Sequence, residues 1–121
     1  MEKVLKKIII KAFELSKKLA EGGHASRISR LGYCYEKGIG TNVNKQKAFE
    51  LCQKAAALGN SIAQYNLALM YENGDRIEKD VEQAIYWYKK SAEQGDQNSQ
   101  YRLKKLLKIK NKLKNNSCKV N

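Results

Sequence analysis

Lys11-Ala12-Phe13-Glu14-Leu15 returns as Lys47-Ala48-Phe49-Glu50-Leu51 and again as Gln83-Ala84-Ile85-Tyr86-Trp87, at an offset of 36 residues both times. Sliding the 121-residue chain by 36 without a gap also superimposes Gly23, Gly59 and Gly95, then Leu31, Leu67 and Leu103. The same shift lays Tyr35 on Tyr71 and Gly38 on Gly74. A gapless register of this extent means stacked copies of one supersecondary unit, none of which can bury its apolar face alone. It also makes positions within one chain comparable with one another.

Each period reads as two helices. Residues 61–73 carry an apolar stripe at Ala63, Leu67, Met70 and Tyr71, the i, i+4, i+7, i+8 spacing of one helical face, and Gly74 follows where a left-handed residue closes the helix. The second helix opens at Asp80, with Gln83 three residues on in a capping-box arrangement, and runs to Gln94 before Gly95. Its predicted buried face is Val81, Ala84, Ile85, Tyr88 and Ala92. Residues 24–37 and 44–58 repeat the plan with Asn44 as the N-cap, and small residues such as Ala48, Ala55, Ala56, Ala84 and Ala92 let helix backbones approach closely. The chain contains no proline, which suits helices better than turn-rich sheets. The fold class is therefore all-α, a right-handed solenoid of α-hairpins.

Residues 2–21 align with second helices, so the order is second helix, two complete hairpins, first helix. The expected divisions are an N-terminal helix at 1–22, repeats at 23–58 and 59–94, and a capping helix at 95–114, one domain in all. Residues 115–121 are expected to be disordered. The N-terminal helix should show Val4, Ile8, Ala12, Leu15 and Leu19 on one stripe. Two readings stay open for it: a cap, or a fragment of a longer array.

The motifs Leu-Gly-x-x-Tyr-x-x-Gly-x-Gly at 31–40, Lys-Ala-Phe-Glu-Leu at 47–51, Leu-Ala-Leu-Met-Tyr-Glu-Asn-Gly at 67–74 and Ala-Ile-Tyr-Trp-Tyr-Lys-Lys-Ser-Ala-Glu-Gln-Gly at 84–95 carry a resemblance to a known family. Over residues 11–107 the chain resembles the Sel-one-like repeat proteins of the tetratricopeptide superfamily. The resemblance implies a non-catalytic scaffold, a signalling adaptor or similar, that binds a protein or peptide on a curved helical surface. Such repeats also occur in quality-control and host-directed proteins, and beside kinases, so a regulatory segment of a larger signalling protein is an alternative. Three positions depart from the pattern. Arg76 stands where the preceding loop has Gly40, so a left-handed arginine is expected there, and Arg76→Gly should raise the melting temperature. Arg27 takes the place of Ala63 in the core stripe. Lys104-Lys105-Leu106-Leu107 replaces the glycine and loop signals of the last repeat, which reads as a terminal cap.

The superfamily resemblance implies that first helices line a concave groove. Opposite the core stripe lie Tyr65 and Leu69, with Tyr33 at the Leu69 place and Tyr101 at the Tyr65 place of neighbouring repeats. Arg30, Asn66 and Arg102 form a second row beside them at 36-residue spacing. Together these seven residues suggest aromatic anchors with guanidinium groups for carboxylates or carbonyls. The alternative is that they pack against the adjacent repeat.

Charge points elsewhere. The net charge of +12 divides into +4 in residues 1–20, zero in 21–100 and +8 in 101–121. A duplex reader lays its basic stripe over the folded body, whereas here the ends hold the excess. Leu103, Leu106, Leu107 and Leu113 interleaved with six lysines make a basic amphipathic helix, a cap in the first reading and a nucleic-acid or anionic-membrane binder in the second.

Catalytic patterns are sparse. His24, the single histidine, aligns with Asn60 and Asp96 at a helix N-cap. Cys34 aligns with core positions Met70 and Leu106, Cys52 with Ser16 and Tyr88, and Cys118 lies in a polar tail, expected exposed and free. No metal set, cofactor motif or small-molecule substrate site is expected. The odd cysteine count, without a C-x-x-C pair, suits a reducing, cytoplasmic setting. A monomer is expected.

Overall fold

A computed structural model describes residues 1–120, with side chains through residue 117; Cys118 and Asn121 lie outside the described side chains. Six helices follow one another: α1 (Glu2–Glu21), α2 (Ala25–Lys37), α3 (Lys45–Ala57), α4 (Ser61–Asn73), α5 (Val81–Glu93) and α6 (Gln97–Val120). Each packs on its neighbour in sequence, most extensively within the hairpins α2·α3 and α4·α5. The divisions follow the 36-residue period, except that residues 115–120, expected to be disordered, continue α6.

Local chemistry starts and stops these helices as the repeat predicts. Asn44, Asn60, Asp80 and Asp96 each accept a hydrogen bond from the backbone N–H three residues on, at 2.8–3.2 Å. His24 holds the same N-cap place without a side-chain bond. Gly38 and Gly74 close α2 and α4 in the left-handed region. The loops that follow are pinned alike, Asn44 N–H donating to the Tyr35 carbonyl and Asp80 N–H to the Tyr71 carbonyl, both at 2.9 Å.

Two clusters make the core. Ile28, Leu31, Phe49, Ala55, Ala56, Ala63 and Leu67 fill the first, and Ala68, Ala84, Tyr88 and Leu106 the second. Within hairpins the helices meet at small residues: a Cβ on Gly32 would lie 3.4 Å from Leu51 Cβ and 3.5 Å from the Ala48 carbonyl oxygen. The Arg27 substitution is harmless because α2 buries Ile28, one position on, and leaves Arg27 exposed. Between hairpins a polar link recurs that periodicity alone did not reveal. Gln64 donates to the Ala56 carbonyl at 3.1 Å, and Gln100, 36 residues on, donates to the Ala92 carbonyl at 3.2 Å. Each glutamine thus satisfies a carbonyl at the end of a preceding second helix, a group otherwise left without an intrahelical partner.

The apolar stripe of α1 does not face the array. Val4, Ile8, Leu15 and Leu19 are 40–61% exposed, and Ala12 is exposed as well. The helix instead docks through Phe13 and Ala20, with Phe13 edge-on to Tyr35 at 5.4 Å. The reason is geometric: α1 touches the array only through the face that second helices turn to the following repeat. Gly40 permits that approach, since a Cβ there would fall 2.7 Å from the Ile9 carbonyl oxygen.

Arg76 does adopt the expected left-handed backbone, φ 67°, and it has a partner that glycine would lack. Its Nη2 lies 2.6 Å from Glu36 Oε1, 40 residues away in the preceding repeat. The left-handed backbone costs about 1–2 kcal/mol, and a charge-assisted hydrogen bond in a half-buried site returns about the same. Arg76→Gly is therefore expected to leave the melting temperature nearly unchanged. Arg76→Ala keeps the strain, loses the pair and should lower it by several degrees; thermal melts followed by circular dichroism check both.

Candidate functional site

First helices of successive repeats leave a groove of about 750 Å³ between α2 and α4. Leu69 and Met70 of α4 and Ala48 and Cys52 of α3 give it an apolar lining, with Arg30 and Tyr33 of α2 among its polar and aromatic members. The 36-residue repeat explains the arrangement. The positions that point away from each hairpin's own core recur along one side of the stack, so a ring at Tyr33 and an amide at Asn66 reach one space.

Of the seven residues expected to bind a partner, the structure gathers four: Arg30, Tyr33, Asn66 and Leu69 line this groove. Tyr33 is 58% exposed, free to rotate onto an occupant. The other three, expected beside them in two rows, lie outside it. Tyr65 is half-buried and stacks at a tilt on Tyr88, ring centroids 5.9 Å apart, because its place on α4 faces α5 and α6. Arg102 approaches Glu72, Nη1 to Oε2 3.5 Å. Tyr101 is exposed, with the Lys105 ammonium 5.3 Å from its ring centroid.

Paired charges stiffen the groove's rim. Glu36 accepts from Arg76 at 2.6 Å and from Lys45 at 3.0 Å, and the Arg76 hydrogen bond holds its carboxyl below the usual range. The equivalent Glu72 accepts from the buried Tyr88 hydroxyl at 2.6 Å; burial and that carboxylate push the phenol well above its ordinary value. Sequence reading singled out Arg76 only as a left-handed loop residue and missed its partner Glu36, although Glu36 and Glu72 sit at equivalent places, which is the signal that could have found it. Arg30 and Lys37 make no ion pair among the described residues, so the groove presents free cations beside fixed ones.

The thiols have little reactivity to offer. Burial raises Cys52 to about 11 and Cys34 above its usual value, and the Cys52 Sγ–H donates to the Ala63 carbonyl at 3.4 Å. At neutral pH both are thiols, the non-nucleophilic form. Among the described residues no group of histidine, cysteine and carboxylate side chains has a metal-binding arrangement, and no helix is long and apolar enough to cross a membrane.

The Glu36 carboxyl makes the rim pH-sensitive. Its folded value lies below the ordinary 4.5, so its stabilisation is present above that value and fades as pH falls through the lowered one. Glu36→Gln should thus reduce the melting temperature at about pH 7, and the difference should shrink as pH falls below the ordinary carboxylate range. Melts of both proteins across that range test the sign.

A family model described as Sel1 repeat matches residues 7–24, 28–60 and 61–96. Among solved structures, a Sel1 repeat protein from Oxalobacter formigenes is 35% identical over 78% of this chain and 71% of its own, with a TM-score of 0.73. A protective antigen of uropathogenic Escherichia coli with an SLR fold is 37% identical at a TM-score of 0.70, matching 75% of this chain but only 20% of its own. Cysteine-rich protein B of Helicobacter pylori, 24% identical over 74% of this chain and 67% of its own, shares the fold at a TM-score of 0.67. No curated protein matches the chain significantly.

Proposed function

The chain belongs to the Sel1 repeat family, whose fold generally mediates contacts between proteins, and from that premise we propose that it is a non-catalytic scaffold binding a peptide in the α2–α4 groove. The observation that carries this reading is the groove itself: apolar walls from Leu69 and Met70, an exposed ring at Tyr33, and the cations Arg30 and Lys37, which have no ion pair among the described residues. An extended segment with one bulky apolar residue and a nearby carboxylate matches that chemistry. The ring supplies a rigid anchor of low conformational cost, and the guanidinium supplies a planar, bidentate partner for the carboxylate. The raised thiols Cys34 and Cys52 support a surface that holds its ligand without attacking it. Glu36, already saturated by Arg76 and Lys45, keeps its negative charge from repelling an acidic ligand.

Selection of peptides from a displayed random library on the full chain, followed by calorimetry, tests this. Tyr33→Ala with Arg30→Ala should weaken a selected peptide by roughly thirty-fold or more, the loss of about 2 kcal/mol expected of a hot spot, with helicity unchanged. Tyr101→Ala, outside the groove, should bind normally. Leu67→Ala, in the core, should unfold the array at a cost of about 2–5 kcal/mol. Selected peptides that ignore the double variant and are lost on removal of residues 110–121 would place binding on the basic helix instead.

A further inference from the structure

Leu5, Ile8, Ala12, Leu15 and Leu19 recur along α1 at intervals of three, four, three and four, the a/d pattern of a coiled-coil seam. Leu5 is 55% exposed, Ile8 and Leu15 are 58% and Leu19 is 40%. The helix docks on the array through a different face, Phe13 and Ala20, so the seam has no partner within the described chain. Elsewhere in the protein the positions equivalent to Ala12 and Leu19 are covered, Ala48, Ala55, Ala84 and Ser91 being 0–5% exposed, those equivalent to Leu15 are half-buried, and those equivalent to Ile8 are the exposed N-caps Asn44 and Asp80.

The residue sizes say what can cover α1. In the hairpins the seam is built from Gly32, Ala48, Ala68 and Ala84, all buried, which brings backbones close. Ala12 keeps the small residue of Ala48 and Ala84, but Leu19 stands where Ala55 and Ser91 stand, and its bulk opposes an equally close approach by a first helix of the α2 type. Head-to-tail stacking onto α6 is opposed further. Lys104 occupies the seam position of Gly32 and Ala68, which would bury an ammonium without a partner. Leucine and isoleucine at a/d spacing fit a helix with the same spacing, interlocking knobs into holes, and a second α1 supplies that by identity.

We propose that α1 pairs with α1 of a second copy, making the chain a two-fold symmetric dimer. A two-fold pairing uses the same patch on both subunits, and α1 satisfies this with the helices side by side in parallel. In that register Val4 meets Ile9 of the second copy and Lys11 meets Ser16, so no like charges oppose each other across the seam. The large seam side chains are 40–58% exposed, and pairing them covers on the order of 1,000 Å² in total, the lower bound for a specific interface. This departs from the monomer expected of the sequence, where α1 was left open between a cap and a fragment of a longer array.

Sedimentation velocity of the full chain from about 1 to 100 µM, in about 0.15 M and 0.5 M salt to screen the net charge, tests the pairing. The expected result is a dimer at the upper concentrations, strengthened or unchanged by salt. Leu15→Glu and Ile8→Glu, each at a solvent-facing site, should sediment as monomers with the same helical circular dichroism. A wild-type chain that stays monomeric at the highest concentration in both salts overturns the proposal. So does a dimer that survives both substitutions, or one lost on Tyr33→Ala instead, which would place the contact in the groove.

Discussion

Helices share a hairpin here because the residues at their crossing are small. Gly32 meets Ala48, and Ala68 with Ala84 repeats the contact one period on, all four without solvent exposure to speak of. Everything else is hung on that close approach. It tightens the paired helices until Leu31, Phe49 and Leu67 fill the first cluster. It also sets first helices on one side of the stack, where the groove opens between α2 and α4. A larger residue at these crossings would spread the hairpin, and overpacking a core by even a few methylenes costs about 1–3 kcal/mol.

The seam works with a second, polar constraint between hairpins. Amides of Gln64 and Gln100 reach back to the last carbonyls of α3 and α5, and the Gln94 amide bridges to the Gly59 carbonyl and Gln64 at 2.9 Å each. Among the described residues no buried side-chain polar atom is left without a partner. The junction of α1 with α2 solves the same problem differently, with Ile28 against Ala20 where the later repeats use glutamine and alanine. One junction is apolar and two are hydrogen-bonded, although all obey one period.

The period, caps and closing glycines could be read from residues alone because they depend on local backbone chemistry. Asn44, Asp80, Gly38 and Gly74 act within a turn of their own position. Side chains whose role depends on a neighbouring repeat were less legible. Tyr65 looked outward on its own helix and proves half-buried because α5 and α6 lie over it. The α1 stripe could be read from the sequence, but not that Phe13 and Ala20 would be the residues to dock on α2. In the groove, Tyr33, Leu69, Arg30 and Asn66 followed from position, while Glu36 and Arg76 needed the fold to bring together residues 40 apart.

That pair has a consequence for how the array holds together. The strain of a left-handed arginine is local to the second loop, while its relief comes from a carboxylate in the preceding hairpin. A repeat array is a row of units coupled to their nearest neighbours, and its cooperativity grows with the energy residing in the junctions. Placing the cost in one unit and the compensation in the next moves energy from the unit to the junction. The second hairpin is thereby made a poorer fold alone and a better one in company, so melting spreads across the repeats as one event and does not peel them away singly.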